Sequence, residues 1–482
     1  EPNNKSQEPN EFQISNQMMM TNSKTIFFAA AAVAVFGCQS PSEKQAGTAQ
    51  NDSSMVKLIS LDPGHFHAAL VQKRNYPDID TTVYVYAPDG PEVNAYLNLI
   101  NQYNSRAEDP THWNEVVYRG NDFAEKMFAE KKGNVVVLSG NNRLKTDYIQ
   151  RAVDAKLNVL ADKPMAINTD NFNKLIQAFE DAKKNNVLLY DIMTERSEIT
   201  NILQQELIHN SELFGELKKG TEKDPAVMIE SIHYFFKNVS GKPLVRPEWF
   251  FDPAQQGDAI ADVGTHIVDI VQWQCFPDVT LDYTKDISIS SAKIWPTPLT
   301  PTQYASLTGK NVYPDYLKPY IEKDSLLQTH ANGEMNYTIK GVPVKIIIRW
   351  DYKAEAGGDS HHAVVKGTRC TLDIRQGKTE NYKPVLYIIP SGRKDDEAGE
   401  AVQKAITAVA AKYPGVTAEK QGKEWKVIIP ESYNVGHEAH FGEVMERYLQ
   451  YLKEGNMPEW EVPNTIAKYY ITTKALEIAT KH

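Results

Sequence analysis

Short β-branched runs alternate with longer amphipathic stretches through the first half of the chain. Residues 56–61, 82–86, 134–138, 158–161 and 187–190 read as strands, apolar enough to lie in a sheet covered on both faces. Between the last two, Phe172, Leu175, Ile176 and Phe179 recur at i, i+3, i+4 and i+7, with Asn168 and Thr169 as cap candidates. Strand, helix and strand in that order predict βαβ units and a parallel sheet. The stretch 91–132 is longer than an ordinary crossover and Pro110 divides it, which predicts an extra helix or a surface insertion.

Beyond residue 200 the texture changes. Residues 226–236, 287–295, 333–340, 342–350, 361–366, 370–374, 385–389 and 425–429 read as strands, most of them joined without long helices. A largely antiparallel sheet is expected there. The Pro-rich stretch 296–320 is expected as a lid or edge loop, and 437–453 and 466–480 close the chain as helices. The expected fold is α/β: a Rossmann-type parallel-sheet domain over 55–193, then an α+β domain with a large, mostly antiparallel sheet over 194–482.

Composition narrows the function classes. With 52 Lys and Arg against 62 Asp and Glu, the net charge of −10 would repel a phosphate backbone, so no nucleic-acid partner is expected. Cys38, Cys275 and Cys370 are too few for a disulfide framework and lack paired zinc spacing, so no metal is expected either. Cys38 has another use. Met18 to Met20, Lys24 and the small apolar run 26–37 lead up to it, and that run is too short to span a bilayer. Its end, Val35-Phe36-Gly37-Cys38, resembles the bacterial lipobox. The expectations are a gene-model extension over 1–17, a lipoprotein signal peptide over 18–37, lipid attachment at Cys38 and a flexible tether over 38–54. Such a protein would be exported and held at the periplasmic or outer-membrane surface by lipid alone.

Candidate chemistry gathers where strands end. The first strand runs into Asp62-Pro63-Gly64-His65-Phe66-His67, where a dinucleotide fold places its glycine-rich turn, although Gly64 is the one glycine kept. Ser139-Gly140-Asn141-Asn142-Arg143 and Asp162-Lys163-Pro164 follow two later strands, at the edge where open α/β sheets bind ligands. Lys163 before a proline is kept out of the helical region, so its ammonium can be aimed at a cleft. Further on, a helix beginning at Asp262 would put Asp262, His266, Asp269 and Trp273 on one face, either as a functional constellation or as a cap and a satisfied core histidine. Trp249, Phe250, Phe251 and Trp273 offer ring faces for stacking on a ligand, or are ordinary core or interface aromatics. His437-Glu438-Ala439-His440 lacks the HExxH spacing and reads as helix surface, and His361 and His362 point in opposite directions along their strand.

The order of these motifs, covering roughly 55–273, resembles the Gfo/Idh/MocA oxidoreductase family, in a bacterial lipoprotein form. Two departures stand out: the lost glycine fingerprint, and Gln256-Gly257-Asp258 where the family usually has three glycines. The resemblance implies NAD or NADP, with NAD preferred, contacted by Gly64, His65, Phe66, His67, Ser139, Asn141, Asn142, Asp162, Lys163, Pro164 and Arg196. It implies Lys163 as active-site lysine, Asp262 and His266 as the acid–base pair, and Lys163, Trp249, Asp262 and His266 as substrate contacts. The expected substrate is a sugar or glycoside hydroxyl, and a homo-oligomer is expected by the same resemblance. Because pyridine nucleotides are a cytoplasmic pool, an exported member is expected to hold its cofactor tightly. Two alternatives stay open, a redox-assisted NAD-dependent glycosidase and a non-catalytic carbohydrate-binding relative.

Overall fold

The computed structural model describes residues 55–239, 242–354 and 358–481; the leader, Cys38 and the tether lie outside the described residues. Six parallel strands form the first sheet: β1 (Leu58–Leu61), β2 (Thr82–Ala87), β3 (Asn114–Arg119), β4 (Val135–Leu138), β5 (Asn158–Asp162) and β6 (Leu189–Ile192). Their order is β3-β2-β1-β4-β5-β6, so the winding reverses between β1 and β4. That reversal opens a crevice at the carboxyl ends of the strands. The connecting helices are α1 (His67–Leu70), α2 (Pro91–Ser105), α3 (Phe123–Glu130), α4 (Lys145–Asp154) and α5 (Thr169–Asn185). As its spacing predicts, α5 is capped by Asn168, whose side chain accepts from the Asn171 backbone. β3 occupies the stretch expected to hold only a helix or insertion. Lying at the sheet edge, it is mostly exposed and carries no buried apolar run for a pattern to detect.

The second sheet follows α6 (Ile199–Ile208). It contains β7 (Val227–Phe236), β10 (Ile287–Leu299), β11 (Ile321–Glu322), β12 (Leu326–Ile339), β13 (Val342–Lys353), β14 (Ser360–Lys366), β15 (Cys370–Gln376), β16 (Val385–Pro390), β17 (Thr417–Gln421) and β18 (Glu424–Ile428). The pair β8 (Asn238–Val239) and β9 (Lys242–Pro243) stands apart. All pairings in the large sheet are antiparallel except β7 with β13. The Pro-rich stretch is no free lid. Pro296 and Pro298 lie in β10, an edge strand, where a missing N–H can face outward. The chain then turns into α9 (Pro301–Thr308) through a capping box of Thr300 and Gln303.

Helices α7 (Pro253–Gln256), α8 (Ala259–Cys275), α10 (Asp395–Lys412), α11 (His437–Glu454) and α12 (Glu461–Thr480) complete the fold. The last two return to the first sheet. Phe441, Val444, Met445 and Tyr448 of α11 share one apolar core with Leu58, Val83 and Val85. In α12, Tyr469 packs with Leu61 and Val159, while Ala467, Ile471 and Ala475 join the core of the second sheet. The closing helices therefore tie the halves together and bring residues from the end of the chain to the site. Among the described residues no helix is long and apolar enough to cross a membrane.

Candidate functional site

The turn after β1 places its backbone against the turn after β4. Asp62 adopts a left-handed conformation, φ 53°, where the usual fingerprint has glycine. A Cβ on Gly140 would stand 2.0 Å from the Asp62 carbonyl oxygen, so only glycine permits this approach. Beside the turns lies a crevice of about 440 Å³ lined by Asp62, Gly64, Pro88, Glu92, Val93, Asn141, Arg143, Tyr148 and Trp249. Burial, with Glu92 second, pushes the Asp62 carboxyl up to about 6.

Beneath the crevice the expected cofactor contacts form a polar knot. Asp162 Oδ2 accepts from His67 Nδ1 at 2.9 Å and from Ser139 Oγ at 2.9 Å. Burial alone would raise the Asp162 pKa, but the cationic field and hydrogen bond of His67 and the Lys145 ammonium outweigh it and hold it low. Lys145 Nζ donates to Asn142 Oδ1 at 2.5 Å and to the Asp162 carbonyl at 2.9 Å, and burial pulls its pKa down to about 8. Asn141 and Asn142 reach across to the other half: Asn141 Nδ2 donates to Gln255 Oε1 at 2.8 Å and Asn142 Nδ2 to the Gln256 carbonyl at 2.8 Å. Gly64, Asn141 and Trp249 thus stand on the crevice wall, His67, Ser139 and Asn142 lie in the knot below, and Phe66 is exposed.

The next residue along the chain, Lys163, meets α8. Its Nζ donates to Asp262 Oδ1 at 2.7 Å, and each side chain is 11% exposed. The helix starts at Ala259, three residues earlier than the sequence suggests, which puts Asp262 in its first turn, where an anion is favoured. Burial opposes both charges, yet the pair wins: Asp262 holds the lysine pKa up and Lys163 holds the aspartate down. One turn on, His266 keeps a buried Nδ1 with no partner among the described residues. Burial, then the Lys163 charge, drives its pKa well below the ordinary 6.5, so the ring is neutral near pH 7.

Three groups at this site carried no motif. Lys145 stands on an amphipathic helix as any surface lysine would. Glu195 follows β6, and burial, with Glu198 second, raises its carboxyl to about 7. His437, expected on a helix surface, opens α11 3.7 Å from Glu195 Oε1, with its ring 5.9 Å from that of His67. Its side chain stays 44% exposed, the helix-surface position expected of it. Nothing in local spacing signals a residue that arrives from a distant helix.

Other expected residues go elsewhere. Arg196 forks onto Asp269 at 2.6 and 2.7 Å and reaches Glu461 at 2.8 Å, with its side chain 7% exposed. Both edges of its guanidinium are taken, so it braces β6 against α8 and α12 rather than facing a cofactor. Asp269 also accepts from Lys468 Nζ at 2.9 Å. Phe250 and Phe251 pack with Phe235. The Trp273 carbonyl accepts from Gln205 near the far end of α8, three turns from Asp262.

The residues present fit a dinucleotide in part. The crevice lies where a doubly wound sheet binds one, and its lining is both apolar, with Pro88, Val93 and Tyr148, and polar, with Asn141, Glu92 and Arg143. The phosphate region differs, because the Asp62 side chain stands where a glycine cradle would leave room.

Two family models cover most of the described chain: "Oxidoreductase family, NAD-binding Rossmann fold" over residues 65–190, and "Putative oxidoreductase C terminal domain" over 203–480. No curated protein matches. A solved structure from Parabacteroides merdae, described as a "putative oxidoreductase", is 50% identical, covering 89% of this chain and 98% of that one at a TM-score of 0.87. Two more distant structures share the fold at 12% identity. A levoglucosan dehydrogenase, in complex with NADH and levoglucosan, covers 88% of this chain and 97% of its own at a TM-score of 0.56. A 3-ketoreductase from Actinomadura kijaniata, in complex with NADP, does so over the same shares at 0.52. With Lys163, Asp262 and His266 assembled beside a doubly wound sheet, this chain belongs to the Gfo/Idh/MocA family and is an NAD(P)-dependent oxidoreductase.

Proposed function

We propose that this oxidoreductase moves hydride between NAD and a hydroxyl-bearing carbon of a sugar or glycoside, outside the cytoplasm and with a retained cofactor. The observation that carries the reading is the pairing of Lys163 with Asp262 at 2.7 Å, with His266 one turn along and its buried Nδ1 unpartnered. When bound, the nicotinamide supplies the hydride acceptor or donor. Lys163 keeps its proton and donates to the substrate oxygen, stabilising negative charge as it develops there. His266, neutral, takes the hydroxyl proton at a ring nitrogen. Asp262 already bonds Lys163, so it acts by aiming and charging that ammonium. Trp249 supplies an apolar wall.

Glu92 supports NAD over NADP. Its carboxylate lines the crevice past the end of β2, where it would bind ribose hydroxyls and repel a 2′-phosphate. Asp89, the nearer acid in sequence, is committed to Arg119 at 2.9 Å. The lipobox-like segment ending at Cys38 supports export and lipid anchoring. Denaturing the purified protein should release NAD, detected by chromatography. Finding no nucleotide, and no binding of added NAD or NADP, would overturn the reading.

Glu195 favours a second reading, the redox-assisted glycosidase. A carboxyl with a pKa of about 7 can protonate a departing glycosidic oxygen, a step that oxidation alone does not need. Aryl glycosides supplied without an electron acceptor separate the two: released aglycone supports the glycosidase, a keto-sugar the dehydrogenase. Neither product, from a protein that still binds oligosaccharide, points to the binding-only relative.

A further inference from the structure

The residues that replace the glycine fingerprint bring ligating atoms together. His65 and His67 sit two apart on the turn after β1, and both rings face the carboxylate at the end of β5. His67 Nδ1 lies 2.9 Å and His65 Nδ1 3.6 Å from Asp162 Oδ2, and the three atoms all lie within 4.8 Å of one another. A zinc ion about 2.1 Å from each ligand of a tetrahedron needs donor atoms roughly 3.4 Å apart, so the spacing is close to what such an ion requires. The second observation is independent of the spacing. His65 Nδ1 is buried and has no hydrogen-bond partner among the described residues. A buried polar nitrogen without a partner costs free energy, and a ligand would remove that cost.

We propose that His65, His67 and Asp162 form a binding site for a divalent transition-metal ion, with Zn²⁺ the first choice. Two imidazoles and one carboxylate suit an ion of intermediate softness and disfavour Mg²⁺ and Ca²⁺, which take oxygen ligands. Three protein ligands leave a coordination position open, the arrangement of sites that handle a substrate or water rather than brace a fold. Ser139 Oγ, donating to the same Asp162 oxygen at 2.9 Å, holds the carboxylate in place as an outer-shell partner does. Nδ1 must be free of its proton to ligate, so uptake of the ion either shifts the His67 proton to Nε2 or releases it to solvent. The sequence gives no sign of the site because a His-x-His pair on a turn, completed by an aspartate 95 residues away, matches no metal spacing.

The test is metal content, which does not depend on turnover. The full-length protein, stripped with a chelator and dialysed against Zn²⁺, should retain one equivalent by mass spectrometry. Co²⁺ should give the visible absorption of a low-coordinate nitrogen and oxygen site. His65→Ala and His65→Gln should each weaken retention at least tenfold with the far-ultraviolet circular dichroism unchanged, and Mg²⁺ should not compete. His362→Ala, on a strand face where that ring pairs with Asp373 at 2.9 Å, should bind as the parent does. Absence of retained Zn²⁺ and Co²⁺ in the parent overturns the proposal, as does equal binding by both His65 variants, because the three side chains are then a hydrogen-bond knot. Nucleotide release is read on the same samples, so a failed cofactor assignment leaves the metal result intact.

Discussion

Helix α8 carries two buried carboxylates two turns apart, Asp262 and Asp269, and each pairs with a cation from the first sheet's carboxyl edge. The two pairs do opposite things. Asp269 lies in a closed cluster with Arg196, Glu461, Lys468 and Asp191, where no side chain is more than 7% exposed. Asp262 has Lys163 as its ion-pair partner and a hydrogen bond from the Gln256 side chain, and around that pair His266 Nδ1 and His65 Nδ1 are left without partners among the described residues. Side chains of the same kinds therefore brace the molecule in one place and stand ready for a ligand in the other. What separates them is that the closed cluster sets each of its charged groups against an opposite one, although Asp191 Oδ1 there still lacks a hydrogen-bond partner, whereas the open one leaves two ring nitrogens unmatched.

Removing the closed cluster's arginine should give the largest effect. Arg196→Met leaves Asp269 buried with Lys468 as its remaining cation and Glu461 buried without its Arg196 partner, an expected loss of about 3–5 kcal/mol in urea unfolding. If stability holds within about 1 kcal/mol while turnover disappears, the cluster belongs to the active site and the contrast fails. Lys163→Met should do the converse. Turnover should fall by about 10²–10³-fold, while the stability loss should be smaller than for Arg196→Met because one buried carboxylate rather than two loses its cation and the α8 N-terminus still favours the Asp262 charge.

This contrast marks how far the sequence could be read. Lys163 at a strand end and Asp262 and His266 one helical turn apart were visible as motifs, but what joined them across 99 residues was the order of motifs that resembles the family, not local spacing. Arg196 is one position along from Glu195, and no local pattern says that the arginine turns inward to α12 while the glutamate faces the site. That β1, β2, β4, β5 and β6 are strands of a parallel sheet followed from apolar runs alternating with helices, their order did not, and β3 escaped because an edge strand needs no apolar run. His437 and Tyr469 were invisible for the same reason as Arg196: their partners lie hundreds of residues away, and only the return of α11 and α12 brings them in. The Tyr469 hydroxyl, 2.8 Å from Asp191 and 2.9 Å from the Met165 amide, joins the closed cluster to the segment after Lys163.

Gly140→Ala tests whether the open side rests on backbone contact. The added Cβ would meet the Asp62 carbonyl at 2.0 Å, so the β1 and β4 turns must separate, at about 1–3 kcal/mol, and the crevice between them should bind nucleotide more weakly by calorimetry. Unchanged stability and affinity would mean that the two turns are not held together. Acid separates the clusters further. Asp269 is buried, which would raise its pKa, but Arg196 and Lys468 hold it low. Its contribution is complete above the unfolded value of about 3.9 and is lost as pH falls toward the folded one. Stability should therefore drop below pH 4 by up to about 1.4 kcal/mol per pH unit for this group, and Asp269→Asn should remove that slope.

The smallest expected effect lies at the edge of the open site. Glu195 has its folded pKa raised to about 7, by burial first and Glu198 second, with Lys163 pulling the other way. A carboxyl raised in this way binds its proton more tightly folded than unfolded. Its presence costs stability as pH climbs from the unfolded value near 4.3 through 7, with no further change above. Glu195→Gln should thus gain on the parent between pH 5 and pH 8 by less than about 1 kcal/mol, since the side chain is 36% exposed and water screens much of the penalty. If the two proteins run parallel across that range in thermal unfolding, Glu195 ionises as a surface residue does and cannot serve as the acid of a glycosidase. A widening gap, together with an alkaline limb of the pH–rate profile that the Gln variant lacks, places a proton-carrying carboxyl in the open site and none of that behaviour in the closed one.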